Sequence, residues 1–193
     1  MDTEKLFDNF QKYSTLLKKY FPESGTDDFL EKFSVRLTTC PRGLTPQEGG
    51  EHGGLIEHAL KTAIIASSHT KLYNETSQSD IDRASVTRIC LVHEIGKLGT
   101  AEEELYVVQE SQWHREKLGQ NFKYNENCPK MTASHRTLFL LQEHGMNITQ
   151  DEWLSILTSQ GLHFPENSFY GNCIPAVGKI LHFAKSMVDL ENI

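Results

Sequence analysis

The chain has 193 residues, a formal net charge of -7 and 38% hydrophobic residues, which suits one helical or mixed domain with a single core. The acidic balance argues against broad nucleic-acid binding, which depends on neutralising phosphates, although His114, Arg115 and Lys117 form a local basic patch. No apolar run approaches the roughly 20 residues of a membrane span, and the four cysteines, Cys40, Cys90, Cys128 and Cys173, form no C-x-x-C pair, so reduced thiols are expected. The acidic, amphipathic start MDTEKLFDNF resembles neither a secretory signal nor a transit peptide, making a cytoplasmic location the default expectation.

In chain order, Leu6, Phe7, Phe10, Tyr13, Leu16, Leu17 and Tyr20 predict a first helix over residues 4–21, ended by Pro22. Thr26 is placed to cap a second helix with Asp27 and Asp28 in its first turn. The glycine- and proline-rich stretch 40–54 predicts a loop. From Gly54, the positions of Leu55, Ile56, Ala59, Leu60, Ala63 and Ile64 predict a long third helix. A fourth, capped by Ser77 or Ser79, is expected through IDRASVTRICLVHEIGKLG to Gly99. Between 100 and 130 the helical pattern stops, and ELYVV and NFKYN suggest a small hairpin around a polar centre. Helices resume at HRTLFLLQEHG, at ITQDEWLSILTSQG with a Thr149–Glu152 capping box, and at IPAVGKILHFAKSMVDLEN. The expectation is an all-α domain over 1–193 with one irregular or hairpin insertion. Trp153 is expected in the core, and His69, His114, His135 and His144 on the surface.

Three segments put ligand-type side chains where a buried helix favours apolar ones. They are His58 in GGLIEHAL, His93-Glu94 in LVHEIGKLG, and His182 in ILHFAKSMVD. A metal needs imidazole nitrogens and carboxylate oxygens converging from separate elements, and each is costly to bury without a partner. Adjacent His-Glu side chains on a helix diverge by about 100°, so both reach one cleft only at the helix end. Lys97, three residues beyond Glu94, is placed to meet a phosphate. A single histidine on an apolar face is otherwise a hydrogen-bonded core residue. The aromatics Tyr106, Trp113, Phe122 and Tyr124 either pack the hairpin onto the helices or stack a base.

Taken together, GGLIEHALKTA and LVHEIGKLG resemble the HD-domain superfamily of metal-dependent phosphohydrolases, closest to its phage and bacterial branch, over roughly residues 40 to 190. The resemblance implies an HD-like helical bundle in which 1–39 are additional N-terminal helices. It also implies a divalent metal (Mn, Mg, Fe, Co or Ni) on His58, His93 and Glu94, a water directed at the phosphoester of a nucleotide or other small molecule, and Lys97 on the phosphate. Glu94 would share ligation and catalysis, and the location would be a host cytoplasm for a phage-encoded chain.

The chain departs from that family pattern. Glu94 stands for aspartate, Lys185 for the last aspartate ligand, Ser159-Gln160-Gly161 for His-Asp-Gly, and Ala133 for a further histidine. Asp189, one turn beyond Lys185, and His163 are substitute ligands on this view, and His52 lies beside them in the glycine loop. Lys185 is alternatively a partner for Glu94 that replaces the metal's charge. Three functions follow: an enzyme, a module binding a nucleotide or a partner protein without catalysis and without metal, or a helical scaffold. None involves a membrane or general nucleic-acid binding.

Overall fold

The computed structural model describes residues 3–77 and 80–190, and the fold is all-α with one small hairpin. The first helix, α1 (Thr3–Tyr20), buries Leu6, Tyr13 and Leu17 along one stripe, and the Tyr13 hydroxyl donates to the Leu91 carbonyl at 2.9 Å. α2 (Ser24–Thr39) starts before the expected cap. Glu23 is the N-cap residue and Thr26 lies buried inside the helix, beside Phe29, Leu30 and Phe33. The loop that follows is ordered by a turn at Pro46–Glu48, where Thr45 and Glu48 form a reciprocal capping box. Gly49 adopts φ 75° and its carbonyl accepts from the Arg42 amide at 2.9 Å. A Cβ on Gly54 would stand 2.2 Å from that same carbonyl. The glycines therefore let the loop fold back tightly against the start of the next helix.

That helix, α3 (Gly54–Ser77), packs chiefly on α4 (Arg83–Val92) and on α9 (Ala176–Leu190). The cap of α4 is Asp82, whose carboxylate accepts from the Ala84 and Ser85 amides. Ser77 instead ends α3, and Ser79 lies outside the described residues. Nor does α4 run to Gly99. It stops at Val92, and a 3₁₀ turn covers Ile95–Leu98. Gly99 follows at φ 93°, with the Glu103 carbonyl 2.1 Å from where a Cβ would be.

The hairpin pairs β1 (Tyr106–Val108) antiparallel with β2 (Phe122–Tyr124), Val107 opposite Lys123. Its polar centre forms the short helix α5 (Gln112–Leu118), capped by Ser111. Tyr106 and Phe122 are buried, whereas Trp113 and Tyr124 are exposed, so only half of these aromatics serve packing. Next come α6 (Ala133–Glu143), α7 (Gln150–Thr158) and the short α8 (Pro165–Ser168). The Thr149–Glu152 capping box is present.

Two expectations about burial fail. Trp153 is exposed, because the inward face of α7 runs through Glu152, Ser155 and Ile156. Glu152 is fully buried and takes a 2.6 Å ion pair from Arg88. His144 is buried rather than solvated. Its Nδ1 lies 2.8 Å from Asp28, and the Phe29 and Phe33 rings meet it edge-on. No helix among the described residues is long and apolar enough to cross a membrane.

Candidate functional site

Two imidazoles from separate helices meet across one hollow. His58 lies in the first turns of α3 and His93 just past the end of α4, both buried, with ring centroids 5.8 Å apart. The Nδ1 of His93 faces the Cys90 carbonyl at 3.0 Å. A carbonyl only accepts, so Nδ1 carries the proton and Nε2 presents a lone pair. The Nε2 atoms of His58 and His93 have no hydrogen-bond partner. Glu94 completes the group, since one ligand atom from each of the three residues falls within 4.8 Å of the others. The break after Val92 is what allows this. Beyond the helix, Glu94 takes φ -118° and ψ 8° and points its carboxylate to the same place as the preceding ring.

The electrostatics are those of a crowded ion cluster. Arg42 Nε and Lys97 Nζ approach Glu94 Oε2 at 3.1 and 3.2 Å, and Lys185 Nζ approaches Oε1 at 3.3 Å. Arg42 turns its other arm, Nη1, to Asp189 at 2.6 Å. Lys185 also donates to the Ser159 carbonyl at 2.7 Å. Burial alone would raise the Glu94 carboxyl pKa, but Lys97, Lys185 and Arg42 hold it well below its ordinary value. Burial lowers the ammonium pKa of Lys97 against the pull of Glu94. For Arg42, burial is outweighed by Glu94 and Asp189, which raise it. Three cations thus face two carboxylates, leaving one net positive charge.

Both histidines are neutral for the opposite reason. Burial pushes His58 down to about 2 and His93 down to about 3, outweighing the upward pull of Glu94. Stability should therefore depend on pH. Above the ordinary histidine pKa of roughly 6.5, both rings are neutral folded or unfolded. Below it the unfolded chain takes up protons that the folded one refuses, so stability falls on acidification by up to ~1.4 kcal/mol per pH unit per ring. Glu94 acts in the same direction once the pH drops below the ordinary carboxyl value of 4.5, because only the unfolded carboxylate is then protonated. Melting temperature should fall between about pH 7 and about pH 5, and less steeply in His93→Gln. Identical slopes in the two proteins would mean that the folded state accepts the proton on His93.

A cleft of about 1090 Å³ opens beside the cluster, lined among others by Arg42, Lys97, Tyr124, Lys130, Phe164 and Asp189. Its wall is braced by Arg136, a buried side chain whose guanidinium donates to the Gly96 and Pro129 carbonyls. The amide of Gly96 donates in turn to the Thr137 hydroxyl at 2.9 Å, which anchors the Glu94–Lys97 turn on α6.

Of the residues singled out in the sequence, His58, His93, Glu94, Lys97 and Lys185 come together. Asp189 reaches the cluster only through Arg42 and is not in the donor group. His163 is exposed beyond the Gly161 turn, where φ is 113°, and stacks on Phe164. His52 is exposed, near the Thr39 carbonyl and against the Phe122 ring. His182 is half-buried with an unpartnered Nε2, its pKa lowered by burial and then by Lys185. Sequence reasoning missed Arg42 and Arg136. A lone arginine in the Cys40–Gly54 loop, just ahead of the histidine helix, was the available signal for the first.

A divalent metal meets suitable nitrogen donors here and unsuitable charge. Both Glu94 oxygens are already engaged by cations, and each opposing unit charge at ~4 Å costs about 4 kcal/mol at an effective dielectric near 20. With Lys185 in place, the group does not fit a dication. Compared with known proteins, the chain matches no family model, no curated protein and no solved structure.

Proposed function

We propose that this chain is a degenerate HD-type helical module that takes a nucleotide or another small phosphoester into the cleft, with the phosphate on Arg42 and Lys97. The observation that carries this reading is the net positive charge of the Arg42, Lys97, Lys185, Glu94 and Asp189 cluster, of which Arg42, Lys97 and Asp189 line the cleft. Asp189 is the most solvated member, at 46% side-chain exposure, so an incoming phosphate can displace it from Arg42 at little cost. Arginine offers a phosphate its planar fork and lysine a point charge. The cleft volume of about 1090 Å³ accommodates a nucleotide.

The test is thermal denaturation with EDTA present, against a panel of nucleoside monophosphates and diphosphates and inorganic phosphate. A ligand at ~100 times its Kd should add about 2.7 kcal/mol of stability, a rise of roughly 5–10 °C for a chain of this size. Lys97→Ala should lose most of that rise. No response to any member of the panel, or an undiminished one in Lys97→Ala, would reject the assignment.

The unpartnered Nε2 atoms of His58 and His93 favour a second reading, a metal-dependent phosphohydrolase, which requires Lys185 to withdraw from Glu94. Metal-stimulated release of phosphate from the same panel, lost in His93→Ala, would decide for it.

A further inference from the structure

We infer that the Lys185 ammonium is the resident cation of the His58, His93 and Glu94 cluster, a tethered charge that keeps divalent ions out and makes the cleft independent of metal. The inference goes beyond phosphate binding and does not depend on it.

The cluster has the donors of a cation site, two buried imidazole nitrogens without partners and a buried carboxylate. A cation already sits on the carboxylate, although it bonds to neither imidazole. Lys185 Nζ is 3.3 Å from Glu94 Oε1 and 2.7 Å from the Ser159 carbonyl oxygen. Ser159 is the C-cap of α7, so its carbonyl belongs to the negative end of that helix and attracts positive charge. The lysine itself is carried on α9, which packs against α3, α4 and α7. These helices supply His58, lead into His93 and Glu94, and end at Ser159. The ammonium is therefore held by the same rigid frame that holds the donors.

Its side chain is only 12% exposed. To admit a dication, Lys185 must give up both contacts while remaining half-buried beside the new charge. Arg42 and Lys97 occupy the other carboxylate oxygen, so Glu94 cannot turn a free edge toward an ion. An intramolecular ammonium also has a competitive advantage over a free ion, because it is always present at high effective concentration.

The experiment titrates the EDTA-stripped, dialysed chain with Mn²⁺ and with Co²⁺ alone, by calorimetry and by the visible absorption of Co²⁺. The wild-type chain should bind neither ion one-to-one at millimolar concentration. Lys185→Asp, which removes the ammonium and adds a carboxylate on the same residue nearer the backbone, should bind at least ~100-fold more tightly. His93→Ala in that background should abolish the gain. Lys185→Gln removes only the charge and should bind detectably more tightly than wild type, so it decides the matter should Lys185→Asp fail to fold. One-to-one binding of Co²⁺ by the wild-type chain, lost in His93→Ala, would overturn the inference. So would folded variants at Lys185 that bind no better than wild type. Because no phosphate is present, failure here leaves the response to nucleotides in EDTA as a separate result.

Discussion

Glu94→Gln should destabilise the chain by about 3–5 kcal/mol, the usual cost of removing one partner from a buried ion cluster. Among the described residues Glu94 is the carboxylate that pairs with both Lys97 and Lys185, and it shares Arg42 with Asp189. Without its charge, two ammoniums and a guanidinium are left close together and only partly solvated. The glutamine amide adds donors where acceptors are needed. Melting temperature should drop on the order of 10 °C, and Lys185→Gln in the same background should recover part of the loss, since the two changes act on one network. Inorganic phosphate should stabilise Glu94→Gln more than wild type, because an anion then replaces the missing carboxylate. A variant that melts within about 2 °C of wild type would mean that water already screens these cations and that Glu94 does not organise the cluster.

Gly96→Ala should have the second large effect, acting through shape rather than charge. A Cβ at this position would lie 2.1 Å from the Ala133 carbonyl oxygen and 2.7 Å from the Thr137 amide nitrogen. Both are backbone atoms of α6 and cannot swing aside. Overpacking of this kind costs typically about 1–3 kcal/mol. Here the strain falls on a turn that also donates to Thr137 and accepts from Arg136. Because Gly96 adjoins Lys97 and lies two residues after Glu94, separating α6 from the turn moves both site residues. The expected result is a lower melting temperature together with loss of the stabilisation by phosphate-bearing ligands. A wild-type ligand response in a destabilised Gly96→Ala protein would show that the turn positions the fold but not the cleft.

The dependence on charge also distinguishes this site from an ordinary buried histidine pair. His58 and His93 are held neutral mainly by burial, and their lone pairs remain unsatisfied. A scaffold with no ligand has no evident use for two such groups beside three cations.

Several features were legible in the chain before any coordinates, and all of them depend on near neighbours. The apolar stripes set α1, α3 and α9, and the Thr149–Glu152 box starts α7 where its spacing places it. The strand-like ends of the insertion pair as a hairpin. The glycine loop, the helix after it, and the His93-Glu94 step at the end of another helix were visible as segments, and their resemblance together to the HD-domain pattern was what led to the expectation of two imidazoles sharing one hollow. Two caps were misplaced: α2 begins after Glu23, whose side chain makes no capping bond, and α4 takes Asp82, whose carboxylate accepts from the Ala84 and Ser85 amides.

The sequence by itself determined an all-α chain with a small hairpin, because helix period and turn chemistry act over a few residues, whereas a shared hollow for the two histidine segments was expected only from their resemblance to a known pattern. Only the tertiary structure decided that Trp153 faces out and Glu152 in, that His144 is buried against Asp28, and that Arg42 clamps Glu94 to Asp189. That Lys185 pairs with Glu94, one of the alternatives left open by the sequence, was decided there too. Ion pairing between residues 42, 94, 185 and 189 depends on distances that no local pattern encodes, and burial sets how strongly each charge is felt.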